Sequence, residues 1–207
     1  MDYLQIINAI YDQSCSNSSD INEHVPTLMK YAKECSSVVE MGVRGGVSTI
    51  GFIKGLAENG IPIKKYTGVD LYKYPQVEAI QNLSQQLDIQ YNYIVGDSAK
   101  IDCPETDLLF IDTWHIYGHL IRELRKHHSN VHKYIIMHDT TVDEILGESI
   151  RCHMNIIEQH QSSGYPIHEI TKGLWSAIEE FLAEHPEWKI RERFTNNNGL
   201  TILERSS

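Results

Sequence analysis

The chain has 207 residues, of which 41% are hydrophobic and 22% charged, a composition typical of a globular protein with one full core. Its formal net charge of −10 argues against partners such as DNA, RNA or an anionic membrane, because those partners require clustered lysine and arginine. The four cysteines form no CxxC pair, so the sequence predicts reduced thiols in a cytoplasmic protein rather than a disulfide framework.

Amphipathic patterns predict two helices, at residues 2–13 and 24–34, ahead of the first strand. Strands and helices then alternate along the chain. The predicted strands lie at 36–41, 66–70, 91–95, 107–112 and 133–138, and the helices between them at 46–58, 75–87 and 116–128. Such alternation is typical of a parallel sheet that is covered by helices on both faces.

The segment after the fifth predicted strand has a different pattern. Residues 142–160 have helical character, Ser162-Ser163-Gly164 is a break, and a further helix is predicted at 173–184. This part of the chain carries no strand that could extend the parallel sheet.

Apolar stretches at 188–194 and 200–203 flank an Asn-Gly pair, which is a strong hairpin signal. We assign residues 196–198 to that turn alone. The sequence therefore predicts a single α/β domain over residues 1–207, with a Rossmann-like doubly wound sheet of seven strands, mostly parallel and closed by an antiparallel hairpin. Fusion of this domain to others within a longer protein stays open, and so does a homo-oligomer.

A glycine-rich turn follows the first predicted strand. It contains, in order, Glu40, Gly42, Gly45 and Gly46. This is the pattern of a strand, a tight turn and a helix N-terminus whose backbone a ligand can approach closely. The turn is not G-x-G-x-x-G, and the acid beside it would repel a diphosphate. An acid suits a cationic amino group, so the pattern favours S-adenosylmethionine (SAM) over NAD as the bound nucleoside.

The other predicted parallel strands also end in polar side chains. They are Asp70, Asp97 with Ser98, Asp112, and His138 with Asp139. In open α/β sheets, ligands bind outside the carboxyl ends of the strands, and an acid after the second strand typically binds ribose hydroxyls. We therefore expect these side chains to surround one site.

These motifs together resemble those of class I SAM-dependent methyltransferases. The resemblance is carried by Val38 to Thr49, Gly68-Val69-Asp70, Val95-Gly96-Asp97-Ser98 and Phe110-Ile111-Asp112. It implies a cofactor site in which the glycines lie against methionine and ribose, Glu40 reaches the amino-acid part, Asp70 binds the ribose and Asp97 the adenine. The cofactor-binding residues implied are Glu40, Gly42, Gly45, Gly46, Ser48, Asp70, Leu71, Gly96, Asp97, Ser98 and Asp112.

A narrower resemblance, to sugar and macrolide-sugar O-methyltransferases and the cephalosporin hydroxylase family, lies in two segments. They are Phe110-Ile111-Asp112-Thr113-Trp114-His115 and Ile135-Ile136-Met137-His138-Asp139-Thr140. The resemblance implies transfer of a methyl group to a hydroxyl of a sugar or glycosylated small molecule. The alternatives are a hydroxylase-like or NAD-dependent oxidoreductase on the same scaffold, and a non-catalytic nucleoside-binding module.

Three residues are the candidates for catalysis. His115 is three positions past Asp112, and its reference pKa of about 6.5 suits a general base near neutrality. Asp112 and Asp139 are expected to converge, and two such carboxylates repel each other unless a cation lies between them. Without a metal, Asp139 would bind the substrate or orient His115. Trp114, Tyr117 and Trp175 are candidates for an aromatic wall against a sugar ring.

The candidate metal ligands are Asp112, His138 and Asp139. Carboxylates suit Mg²⁺, and such an ion could hold a sugar diol. The resembling metal-dependent enzymes have an acidic pair after the fifth strand, whereas this chain has His138 as the first member. Because imidazole favours softer ions, the sequence leaves open Mg²⁺, Mn²⁺ or no metal at all.

Overall fold

The computed structural model describes residues 2–206 as one sheet with helices on both faces. The strands are β1 (Ser37–Met41), β2 (Lys64–Asp70), β3 (Ile89–Val95), β4 (Thr106–Ile111), β5 (Val131–His138), β6 (Trp188–Phe194) and β7 (Leu200–Arg205). The helices are α1 (Tyr3–Ser16), α2 (Val25–Ala32), α3 (Val47–Glu58), α4 (Gln76–Gln86), α5 (Tyr117–His127), α6 (Glu148–Arg151), α7 (Ile156–Ser163), α8 (Ile167–Thr171) and α9 (Trp175–Glu184), with 3-10 turns at Asn22–His24 and His128–Asn130.

The strand order across the sheet is β3-β2-β1-β4-β5-β7-β6. The first five strands are parallel, and β7 pairs antiparallel with both β5 and β6. The predicted fold class is therefore confirmed. The chain reverses its direction of travel across the sheet between β1 and β4, which is the point where sheets of this type bind their ligands.

Two hydrophobic cores lie on opposite faces of the sheet, because successive side chains of a strand point to opposite sides. Val38 and Phe110 belong to the core beneath α3, whereas Val39 and Leu109 belong to the core beneath α5 and α9. The central strands are buried on both faces, as a parallel sheet between two helical layers requires.

The predicted helix at 142–160 is wrong. The chain after β5 forms turns as far as Gly147, then the short helices α6, α7 and α8. An isolated bridge pairs Leu146 with Lys172, and a Cβ on Gly147 would lie 3.0 Å from the carbonyl oxygens of Ile170 and Lys172. This close approach interrupts the helical pattern. No helix within residues 2–206 is long and apolar enough to cross a membrane.

Candidate active site

Gly42 is the point at which the ends of β1, β2 and β4 meet. Its φ is +91°, its N–H donates to the carbonyl oxygen of Val69, and the N–H of Asp112 donates to the carbonyl oxygen of Met41. A Cβ on Gly42 would lie 1.8 Å from the carbonyl oxygen of Asp112. Only glycine fits here, because both the backbone conformation and the space exclude a side chain.

A cavity of about 500 Å³ opens at the carboxyl ends of the parallel strands. Most of the predicted cofactor residues line it. They are Gly42, Asp70, Leu71, Gly96, Asp97, Ser98 and Asp112. Four predicted residues do not line it: Glu40 in β1, Gly45 and Gly46 in the turn, and Ser48 in the first turn of α3.

Glu40 is fully buried and faces α3 rather than the cavity. Its carboxylate accepts hydrogen bonds from the hydroxyls of Ser48, Thr49 and Tyr66, with 2.7 Å from Thr49 Oγ1. Burial raises the pKa of Glu40 to about 7, although these hydrogen bonds oppose the shift. The carboxyl is therefore a packed part of the turn, and it is not placed to contact a ligand directly.

The two acids on the β2 and β3 side also hold the backbone around them. Asp70 Oδ2 accepts the N–H of Arg44 at 2.9 Å, and this fixes the glycine turn against the end of β2. Asp97 Oδ1 accepts the N–H of Ala99 at 3.0 Å, and Oδ2 pairs with Lys100 at 2.9 Å. Both acids also line the cavity. Each one therefore holds the backbone nearby and also borders the space in which a ligand could bind.

His115 lies among four carboxylates above β4 and β5. Its Nε2 is 3.1 Å from Asp112 Oδ1 and 3.1 Å from Asp139 Oδ2, and its Nδ1 is 2.8 Å from Glu148 Oε2 and 3.4 Å from Asp143 Oδ2. Burial alone would lower the pKa of His115, but the contacts with Asp112, Asp143 and Glu148 raise it well above its ordinary value. These carboxylates therefore favour the protonated ring.

His138 completes the cluster from the end of β5. Its Nε2 lies 3.1 Å from the carbonyl oxygen of Asn197, and its Nδ1 lies 3.5 Å from Asp112 and 3.1 Å from Asp139. Burial would lower the pKa of His138, but the hydrogen bonds to both aspartates raise it to about 10. Burial would raise the pKa of Asp112, because it penalises the charged carboxylate. The hydrogen bonds to His115 and His138 oppose this effect and hold the pKa of Asp112 well below its usual range.

The three predicted metal ligands come together. Oxygens of Asp112 and Asp139 and a ring nitrogen of His138 all lie within 4.8 Å of one another. Because the aspartates raise the pKa of His138, a cation would have to displace the proton from its Nδ1. With Nε2 donating to Asn197, the neutral ring would then present the lone pair of Nδ1 to this space. The donor set therefore fits a divalent cation. Asp139 has a φ of +57°, a backbone strain of the kind that clusters at functional sites.

The residues 196–198 do more than form the hairpin turn. Besides the contact from His138, the carbonyl oxygen of Asn198 accepts the N–H groups of Thr141 and Val142 at 2.9 Å. A Cβ on Gly199 would lie 2.6 Å from the N of Thr141. The assignment of these residues to the turn alone is therefore wrong, because the turn also holds the end of β5.

Residues 39–140 match the family model described as a methyltransferase domain, and this segment carries the glycine turn and every strand that borders the cavity. Residues 39–140 are a methyltransferase domain.

Solved structures with the same fold as this methyltransferase include an O-methyltransferase from Bacillus cereus in complex with S-adenosylhomocysteine (SAH), with 14% identity and a TM-score of 0.59 over all of this chain and 91% of that one. An O-methyltransferase of tomaymycin synthesis from Streptomyces achromogenes, in complex with SAM, has 10% identity and a TM-score of 0.56 over all of this chain and 91% of that one. At these identities the likeness shows the fold alone. No curated protein sequence matches the chain.

Two acids beside His115 were not predicted from the sequence, and one of them, Glu148, lines the cavity. Asp143 is fully buried, contacts His115, and accepts two hydrogen bonds from Arg151, at 2.7 and 2.8 Å. Glu148 contacts His115 and lines the cavity. Both acids lie in the segment 142–160 that was predicted to be helical, and charged residues are common in such a segment, so the sequence offered no signal for them.

Of the three predicted aromatic residues, only Trp114 lines the cavity of the methyltransferase. Its ring stacks on Tyr165, with centroids 5.7 Å apart and planes 15° from parallel. Tyr117 instead donates to Glu180 at 2.7 Å, and the guanidinium of Arg193 lies over the Trp175 ring. The prediction that Tyr117 and Trp175 belong to an aromatic wall is therefore wrong. The aromatic residue that lies beside Trp114 in the cavity is Tyr165, in the connection between α7 and α8.

Proposed function

We propose that the protein transfers a methyl group from SAM to a hydroxyl of a sugar or glycosylated small molecule. The observation that carries the proposal is one continuous cavity. Asp70 and Asp97 line it on one side, and Asp112 and Glu148 line it on the other. A cofactor held on the first side would present its methyl group to an acceptor held on the second.

The cofactor side suits a nucleoside without phosphates. Gly42 and Gly96 allow close approach of the ligand to the backbone, and Asp70 offers carboxylate oxygens to ribose hydroxyls. The acids Asp70, Asp97 and Asp112 face this space and would repel a diphosphate, which supports SAM over NAD. Glu40 and Ser48 would act on the cofactor only indirectly, by holding the turn.

Methyl transfer from a sulfonium requires that the acceptor oxygen be aligned and lose its proton. Alignment can lower the barrier by roughly 7–11 kcal/mol, and a positioned base typically adds about 10²–10⁴-fold. We assign proton acceptance to the neutral form of His115, because its ring bridges Asp112 and Glu148, which both line the cavity. The surrounding carboxylates raise the pKa of His115, so the ring must lose its proton before it can act as the base. Asp112 and Asp139 orient its ring through Nε2.

A divalent cation is the finer part of this proposal. Asp112, His138 and Asp139 would hold it, and when bound it would polarise the acceptor hydroxyl as a Lewis acid. The imidazole in this donor set favours Mn²⁺ over Mg²⁺.

The acceptor class is inferred from the cavity wall. Trp114 and Tyr165 offer stacked aromatic surface, and Ser162 and Ser163 offer hydroxyls beside it. A sugar ring presents apolar C–H faces and polar edges, so this mixture of aromatic and hydroxyl groups suits it.

Transfer of a labelled methyl group tests the proposal. The protein is incubated with methyl-labelled SAM and, in parallel, with free and glycoside-linked monosaccharides, catechols and small peptides. We expect label in the sugar or glycoside products. Labelling of catechols or peptides alone would reject the sugar, and label in none of them would reject the transfer.

Calorimetry separates the cofactor from the acceptor. We expect SAH to bind with a micromolar dissociation constant and NAD not to bind. Binding of NAD without binding of SAH would reverse the cofactor assignment in favour of an oxidoreductase.

Chelation tests the metal. Activity lost after EDTA treatment and restored by Mn²⁺ is the expected result, and activity unaffected by EDTA would remove the metal from the proposal.

A further inference from the structure

Two histidines and a glutamate meet at the opposite end of the sheet from the active site. His128 begins the 3-10 turn that leads into β5, whereas His185 and Glu187 lie in the connection between α9 and β6. The eight residues of β5 separate this end from His138, which at about 3.3 Å per residue amounts to roughly 25 Å. The group is therefore distinct from the cluster around Asp112.

The three side chains direct one ligand atom each into a common space. Nδ1 of His185 is 3.3 Å and Nδ1 of His128 is 3.8 Å from the same oxygen of Glu187. All three atoms lie within 4.8 Å of one another. A tetrahedral zinc ion with bonds of about 2.0–2.1 Å holds its ligands roughly 3.3 Å apart, so only a small adjustment of His128 would close the site.

An independent observation also points to a ligand. Nδ1 of His128 is shielded from solvent and has no hydrogen-bond partner among residues 2–206, a state that is unfavourable for a ring nitrogen. The centroids of the two imidazole rings are only 3.9 Å apart. Burial, together with the nearby His185, lowers the pKa of His128, so the neutral ring that metals bind is the favoured form.

We propose that His128, His185 and Glu187 bind a divalent transition-metal ion such as Zn²⁺. Two imidazoles and one carboxylate favour zinc, cobalt or nickel, whereas magnesium and calcium prefer sets made of oxygen alone. The side chains are 16%, 24% and 35% exposed, so one side of the site is open to a water ligand. The ion would join the start of β5 to the start of β6 and so fasten the C-terminal hairpin to the parallel sheet.

The test is a calorimetric titration of the EDTA-stripped full-length chain with ZnCl₂, with a thermal melt at saturation. Wild type, His185→Gln and Glu187→Gln are compared. His132→Gln is the matched control, because this histidine lies near the same end of the sheet, is 51% exposed, and belongs to no cluster of metal ligands among the described residues. The cluster around Asp112 is intact in every variant, so zinc bound there contributes equally to all of them.

We expect wild type and His132→Gln to bind one more zinc ion than His185→Gln, and Glu187→Gln to bind that ion at least tenfold more weakly. At about 100-fold excess over the dissociation constant, the melting temperature should rise by about 5 °C more in wild type than in His185→Gln. Equal stoichiometry and affinities within twofold in all four proteins would overturn the site. Glu187 is exposed enough for its variant to fold, so the test stands even if His185→Gln does not fold. Methyl transfer plays no part in the readout, so this proposal and the proposed function fail separately.

Discussion

The acids at the ends of the strands differ in their partners, and a comparison of Glu40 with the aspartates above β4 and β5 shows what that difference does. Glu40, below the glycine turn, is surrounded by three neutral hydroxyls, and its pKa rises to about 7 because burial penalises its charge. Asp112, Asp139 and Asp143, above β4 and β5, face the cationic groups of His115, His138 or Arg151, and the pKa values of Asp112 and Asp143 are lowered.

The difference shows that partner charge, more than burial, decides whether a buried carboxyl is ionised. Around Glu40 the partners are neutral hydroxyls, whereas above β4 and β5 the carboxylates and their cationic partners form a dense set of ions. Each of the following substitutions changes one of these carboxyl groups, one of its partners, or the glycine between them.

Replacing His115 with Gln should have the largest effect, because it removes both the proposed proton acceptor and the ring that contacts four carboxylates. We expect kcat to fall by about 10²–10⁴-fold, while the dissociation constant for SAH changes by about threefold or less. His132→Gln is the control for loss of an imidazole. Full turnover in His115→Gln would exclude the catalytic assignment.

Replacing Arg151, at the edge of the same cluster, tests how far the stability of the folded protein depends on ion pairing with Asp143. Arg151→Gln leaves the fully buried Asp143 with only His115 as a cationic partner, and it should lower the free energy of unfolding by about 3 kcal/mol. Arg125→Gln is the matched control, since its pairs with Glu180 and Glu184 are about 40% exposed, and it should lower stability by about 0–1 kcal/mol.

Urea denaturation at several pH values measures these two losses. Equal losses in the two arginine variants would show that burial of the partner does not matter here.

The neutral carboxyl on the cofactor side should be visible in the pH dependence of stability. The pKa of Glu40 is about 7 in the folded protein and 4.5 ordinarily, so between these values the folded state binds more protons than the unfolded state. This group therefore favours folding most below about pH 4.5, and its contribution is lost as the pH rises to about 7. The loss is on the order of 3 kcal/mol.

Glu40→Gln isolates this contribution, because Gln has the same shape and does not titrate. The difference in unfolding free energy between wild type and Glu40→Gln, followed from pH 4.5 to 7, should move steadily in favour of the variant. A difference independent of pH would mean that Glu40 is ionised throughout this range.

Gly42 lies between the end of β2 and the end of β4, so its replacement should disturb both sides of the cavity. Gly42→Ala combines a φ of +91° with a Cβ position 1.8 Å from the carbonyl oxygen of Asp112, and it should lower stability by about 2 kcal/mol or more and weaken SAH binding. Gly45→Ala is the control in the same turn, because nothing lies within 4 Å of its Cβ and its φ is not positive.

Thermal melts and SAH calorimetry separate these two glycines. We expect Gly45→Ala to differ from wild type by about 0.5 kcal/mol or less. Similar losses in both variants would show that the turn tolerates no side chain anywhere, and that contact with Asp112 is not the reason.

The parallel part of the fold and the strand-end residues could be predicted from the sequence. Gly42, Asp70 and Asp112 follow apolar runs of strand length, and parallel strands bring their carboxyl ends to one edge. The side on which each residue faces was harder to predict. Glu40 shares a face of β1 with Val38, and strand alternation therefore directs it toward Ser48 and Thr49 of α3.

The region after β5 could not be predicted in the same way. Its path depends on contacts between distant residues, such as the bridge from Leu146 to Lys172, and these leave no periodic signal. Tyr165 reaches the cavity, and Asp143 reaches His115, only because of that path. The charged cluster around His115 was therefore underestimated, because half of its carboxylates come from this segment.

The hairpin turn has a consequence for how the protein is made. His138 and its partner Asn197 are 59 residues apart, so at about 5–20 residues per second a ribosome needs about 3 to 12 seconds to reach the second after the first. A nascent chain that ends at Asp143 already carries the glycine turn and every aspartate of the cluster. The residues Asn197 and Asn198, whose carbonyl oxygens contact His138 and Thr141, have yet to be translated. The cluster thus matures late in synthesis, and a truncated product would hold the motif without a finished site.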